Sequence, residues 1–108
     1  MKTKQLLRQS YYGYGKDQQL LKTVEELNEL ATALMHYRRG HINAAEVAGE
    51  LADVEIMCAK MRIMLGRALC KEVKKAKLKR LAQMFAKDKA TATCDAIFKH
   101  IKSDELGE

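Results

Sequence analysis

The sequence predicts an all-α protein: an antiparallel helical bundle of three long helices plus a short C-terminal helix, completed by oligomerisation. Three observations carry this expectation. The 108 residues include no proline and only six glycines. Apolar residues recur at three- and four-residue intervals along each long stretch, and no segment alternates with period two. The composition leans on Leu, Ala, Lys, Glu and Met, which lose little by becoming helical. A chain of this size makes one domain, 1–108, with a modest core that gains from association with a second copy.

Residues 1–16 read as an N-terminal arm, with a short helix or extended piece over 2–10 that ends at Ser10. Tyr11-Tyr12-Gly13-Tyr14-Gly15 then interrupts the period with two glycines, a turn signal. Its three tyrosines suit either the packing of a helix start or stacking on a base. The core helices occupy 17–88. Asp17 is placed to cap the first of them, which runs to about Arg39 and stops at Gly40. Leu20, Val24, Leu27, Ala31 and Leu34 form its inward stripe. At about 100° per residue, Glu26 falls at the edge of that stripe beside Leu30, and Glu25 and Glu29 lie further round. Lys22 sits one turn before Glu26, positioned to pair with it.

Asn43 opens the second helix with Glu46 three residues on, a capping-box pattern, and Gly66 ends it. Its stripe is Val47, Leu51, Val54, Met57, Met61 and Leu65. Glu46, Glu50 and Asp53 fall within roughly 60° of Val54 and Met57 on the helical wheel, so they point inward and need cations or hydrogen bonds. The third helix spans about Arg67 to Lys87, with Cys70, Val73, Leu81 and Met84 as its stripe. Lys77 interrupts that stripe and Arg80 borders it, placed either to snorkel or to receive an anion. Residues 89–108 supply a capping segment at Thr91-Ala92-Thr93, a short helix from Cys94 to Ile101 and a frayed tail from Ser103.

Charge and cysteine usage narrow the class. From Asp17 to Ile56 eight acids face three bases, whereas from Lys60 to Lys89 eleven bases face two acids. That division suits a metal jaw beside an anion-binding wall, or a basic surface for nucleic acid. No run of 18 apolar residues exists to span a membrane, and the start, Met1 to Arg8, lacks the apolar core of a secretory leader. Cys58, Cys70 and Cys94 show no C-x-x-C pairing and read as free thiols of a cytoplasmic protein.

The chemistry concentrates in Glu26-x-x-Glu29 and Glu50-x-x-Asp53. Residues three apart share a helix face, so each half is an acidic jaw. Ten residues separate Glu29 from the helix end near Arg39, and ten separate Asn43 from Asp53. A short loop makes the two helices antiparallel neighbours, and the jaws then stand at one height. Four such acids repel one another unless a hard divalent cation with oxygen ligands relieves them. A di-iron bundle would need Glu-x-x-His, which is absent; His36, His41 and His100 read as incidental.

With the flanking text Lys22-Thr23-Val24-Glu25-Glu26-Leu27-Asn28-Glu29-Leu30, Glu50-Leu51-Ala52-Asp53-Val54-Glu55-Ile56-Met57 and Lys77-Leu78-Lys79-Arg80-Leu81, the pattern resembles the MazG-like all-α nucleoside triphosphate pyrophosphohydrolases over roughly Asp17 to Phe85. The resemblance implies a hydrolase that cleaves an NTP or dNTP between the α and β phosphates, giving a monophosphate and pyrophosphate. It implies Mg²⁺, with Mn²⁺ as an alternative, held by Glu26, Glu29, Glu50 and Asp53, and Glu25 as a catalytic acid that either orients the water or supports the metal ligands from behind. Lys77 and Arg80 resemble the basic pair that contacts the phosphates, and Lys22 is a further candidate for substrate binding. Lys74 stands where an asparagine is often found, and Leu81 follows Arg80 where a second arginine is usual, so the phosphate contacts depart from the pattern. A homodimer or homotetramer with sites near the subunit interface is implied as well. Asn28, Tyr37 and the Tyr11–Tyr14 segment are the groups placed to set base and sugar selectivity. The alternative function is non-catalytic: a basic helical protein that grips nucleic acid or an acidic partner through the third helix, with strong salt dependence.

Overall fold

The computed structural model describes residues 1–91, and among them every regular element is helical. The order is α1 (Thr3–Tyr14), α2 (Lys16–Arg38), α3 (Ala44–Leu65) and α4 (Arg67–Thr91). No helix among the described residues is long and apolar enough to cross a membrane. The chain divides into two units, one of Met1–Cys70 and one beginning at Lys71. The expected C-terminal helix from Cys94, its tail and His100 lie outside the described residues.

Glycine punctuates the first unit as the sequence proposes. Gly40 adopts φ 77°, its N–H donating to the Tyr37 carbonyl at 2.9 Å while the His41 N–H donates to that of His36 at 2.9 Å. This pair of bonds closes the end of α2 in a Schellman motif that a residue with a Cβ adopts only under strain. Three residues later the Asn43 side chain accepts from the Glu46 N–H at 2.9 Å and caps α3. The short connection turns α3 back along α2, and these two helices form the principal packing of the unit, with α1 touching both.

The start of the chain corrects two expectations. α1 continues through Tyr11-Tyr12-Gly13-Tyr14, and the break falls at Gly15, φ 91°. Burial of Tyr11 against the rest of the unit repays a mid-helix glycine at position 13, a penalty of about 1 kcal/mol. Gly15 then occupies the N-cap position expected for Asp17, which sits inside the first turn where its charge favours the helix dipole.

The inward face of α2 is also not the expected one. Leu20, Val24, Leu27 and Leu34 are exposed, Val24 by 56%, and Ala31 is exposed too. The buried row is Gln19, Thr23, Glu26 and Ala33, with Leu30 half-buried among them. The row keeps the same three-and-four spacing, displaced by one residue, or about 100° around the helix. On α3 the expected Val54 and Met57 are buried, joined by Lys60, while Leu51 and Leu65 are exposed. On α4, Val73, Leu81 and Met84 of the expected stripe are exposed and Cys70 is half-buried.

Candidate metal centre

The antiparallel α2–α3 pair brings the two acidic jaws together. Carboxylate oxygens of Glu26, Glu50 and Asp53 lie within 4.8 Å of one another, and those of Glu25, Glu26 and Glu29 form a second group at the same spacing. Glu26 belongs to both and is 7% exposed, which reverses the expectation that the α2 half faces inward less than the α3 half. Glu50 is half-buried; Glu25, Glu29, Glu46 and Asp53 are exposed. The polar row on α2 therefore delivers one carboxylate to the helix interface and leaves the others around its rim.

Electrostatics single out this cluster. Lys22 Nζ lies 3.1 Å from Glu26 Oε1 and 3.3 Å from Glu25 Oε1, the pairing that the one-turn spacing anticipates. The Glu26 and Glu25 carboxylates raise the Lys22 pKa above its ordinary value through these bonds. The Glu29 carboxyl is also raised, chiefly by the charge of Glu26, then by desolvation and by Glu50 and Glu25, against a smaller opposing effect of Lys22. One lysine thus leaves the excess negative charge of the group unbalanced. Glu26 Oε2 and Glu50 Oε2 are both buried without a hydrogen-bond partner. A buried carboxylate oxygen with nothing to accept from is costly, and a donor or a cation beside it would offset that cost.

A cavity of about 470 Å³ opens along the same face, lined by Glu25, Asn28, Glu29, Ala33, Glu46 and Glu50 among others. An all-oxygen donor set of this kind suits a hard cation such as Mg²⁺ better than a thiolate- or imidazole-seeking metal. Cys58 is free and half-buried, and the rings of His36 and His41 lie 6.1 Å apart at the turn; neither belongs to the acidic groups.

Lys77 and Arg80 lie on α4 in the second unit, both exposed. Tyr37 is exposed, and Asn28 lies on the wall of the acidic cavity. Sequence reasoning missed Gln19 and Lys60. Each is buried, and neither belongs to a motif that marks it in the sequence. No family model, no curated protein and no solved structure matches the chain.

Proposed function

We propose that this protein is a cytoplasmic, Mg²⁺-dependent nucleoside triphosphate pyrophosphohydrolase that converts a (d)NTP and water to a (d)NMP and pyrophosphate, in the manner of the MazG-like enzymes that its four-acid pattern resembles. The observation that carries the reading is the convergence of Glu26, Glu50 and Asp53 oxygens within 4.8 Å, two of the acids having a buried oxygen without a partner. Glu26, Glu29, Glu50 and Asp53 are the proposed ligands. When bound, Mg²⁺ neutralises phosphate oxygens and acidifies water.

The side chains divide the remaining work. Glu25, exposed at the rim and tethered by Lys22, orients the attacking water and takes its proton. The water oxygen forms a bond to the α-phosphorus as the bond from that phosphorus to the bridging oxygen breaks, and pyrophosphate leaves with the bonding pair. Lys77 and Arg80 are the proposed phosphate-binding pair, with Lys22 holding the acids in register. The exposed stripe Leu20, Val24, Leu27 and Leu34 supports a homodimer or homotetramer in which a second copy covers it.

A second reading rests on α4, whose bases Lys71, Lys74, Lys75, Lys77, Lys79 and Arg80 are all exposed: a non-catalytic surface for nucleic acid or an acidic partner. One experiment separates the two. A panel of nucleotides with Mg²⁺, followed by pyrophosphate release, should give turnover in the wild type and none in Glu29→Gln. Absence of turnover of every nucleotide, together with absence of divalent-metal binding, refutes the enzyme.

A further inference from the structure

A second cavity of about 450 Å³ lies beside the acidic one, walled by Tyr14, Gln19, Leu21, Lys22, Met57 and Lys60. We propose that this cavity receives the base of the nucleotide and favours bases that present a ring N–H next to a carbonyl, the lactam edge of uracil, thymine, guanine and hypoxanthine. The inference rests on the pyrophosphohydrolase reading and names the substrate class of that site.

Three side chains define the chemistry. Gln19 is only 4% exposed, and its Oε1 is buried with no donor to accept from. Its backbone carbonyl is engaged by Thr23 Oγ1 at 2.6 Å, so the helix is satisfied there and the carboxamide is not. Lys60 is 8% exposed, lies 5.8 Å from the centre of the Tyr14 ring, and has no carboxylate within 4 Å among the described residues. Burial lowers the pKa of its ammonium, as expected for a cation without a counter-charge. Tyr14, at the end of α1, is 64% exposed and leaves ring area for stacking, while Leu21 and Met57 supply apolar wall.

A carboxamide sets an acceptor beside a donor. Its complement is either a ring N–H beside a carbonyl or an amino group beside a bare ring nitrogen, so Gln19 alone does not choose between base types. Lys60 does. An ammonium has donors only, so on this wall it favours a base edge rich in acceptors, which carbonyls supply and an amino group does not. Adenine, whose acceptors are ring nitrogens alone, fits worst.

The placement suits the reaction. Glu25 belongs to the walls of both cavities, and Lys22 reaches from this one to Glu25 and Glu26. Gln19 precedes Glu26 by two turns of α2, about 10 Å along the axis. A ribose and its 5′-phosphate span that interval, with the base at Gln19 and the phosphates at the acids.

The test uses the full chain with nucleosides, which lack phosphate and need no metal. Uridine and inosine should bind saturably and shift the side-chain amide resonances of Gln19, with adenosine at least about ten-fold weaker. Gln19→Leu should weaken inosine about ten-fold, and Lys60→Met should bring inosine and adenosine within about two-fold of each other. Adenosine bound by the wild type as tightly as inosine overturns the inference without any variant, as does unchanged inosine binding in Gln19→Leu. Mg²⁺ with inorganic triphosphate is titrated in parallel. Triphosphate binding without nucleoside binding overturns the base cavity and leaves the acidic site standing. Nucleoside binding without any response to Mg²⁺ does the reverse.

Discussion

Replacing Glu50 by glutamine should make the metal-free protein more stable while removing its response to metal. Glu50 has a buried oxygen without a partner, and its carboxylate lies within 4.8 Å of those of Glu26 and Asp53. Two unit charges at that distance repel by about 3 kcal/mol at an effective dielectric constant near 20. Exposure of Asp53 and the Lys22–Glu26 pair screen that repulsion, which brings the expected relief to about 1 kcal/mol. A glutamine N–H facing the orphaned Glu26 Oε2 adds a hydrogen bond of about 1 kcal/mol. The sum, about 2 kcal/mol, corresponds to a Tm increase on the order of 10 °C for a unit of this size. Thermal melts followed by circular dichroism in a chelator, and again with excess Mg²⁺, read both halves of the argument. The wild type should gain roughly 2–3 kcal/mol when Mg²⁺ exceeds its dissociation constant by about a hundred-fold, and Glu50→Gln should gain almost nothing. High monovalent salt should also raise the wild-type melt and leave the variant nearly unmoved. A variant less stable than the wild type in chelator refutes the claim that these acids repel, and an undiminished Mg²⁺ response refutes Glu50 as a ligand.

Two further outcomes follow from the shifted groups. Burial lowers the Lys60 pKa, so between that value and the ordinary lysine value of about 10.4 the folded chain holds fewer protons than the unfolded one, and stability rises with pH across that window. Denaturant midpoints between neutral and alkaline pH should show this rise in the wild type and a flatter profile in Lys60→Met, which should also be the more stable protein at neutral pH; parallel profiles sink the assignment. The Glu29 carboxyl is raised, so as pH falls it takes up a proton before an ordinary glutamate does, and the proton competes with metal. Mn²⁺ titrated calorimetrically from about pH 7 to about pH 5 should bind progressively more weakly, with a shallower slope and weaker binding at neutrality in Glu29→Gln; an affinity flat across that range removes Glu29 from the ligand set.

The parts of the fold legible in the sequence are those decided locally. Gly40, Asn43 and Gly66 fall at helix ends because backbone geometry and capping chemistry act within a few residues. The equal spacing of the jaws from the turn was legible for a similar reason, since a short connection and a constant rise fix which residues of an antiparallel pair come level. The end of α1 was not legible: whether Gly13 stops a helix depends on what Tyr11 packs against, and that is tertiary. Lys60 was equally opaque, a lone lysine among the many of the basic half, and only the arrival of Tyr14 from α1 makes it part of a cavity wall.

The misjudged face of α2 carries the most information. Two rows of the same period run along it, Leu20-Val24-Leu27-Leu34 and Gln19-Thr23-Glu26-Ala33, one residue apart. Hydropathy favours burying the first, and stability alone would select it, because a buried glutamate and a buried glutamine both carry desolvation costs that leucines avoid. The chain turns the second row toward α3. That choice leaves Gln19 Oε1, Glu26 Oε2 and Glu50 Oε2 buried without partners on one helix interface, and it leaves the leucine row exposed. An arrangement less stable on both counts is explained if each cost is relieved by something that binds: a cation at the acids, a polar ring at Gln19, and a second copy along the leucines. The three are separable. Glu50→Gln should relieve the first cost, Gln19→Leu the second, and neither should affect the third.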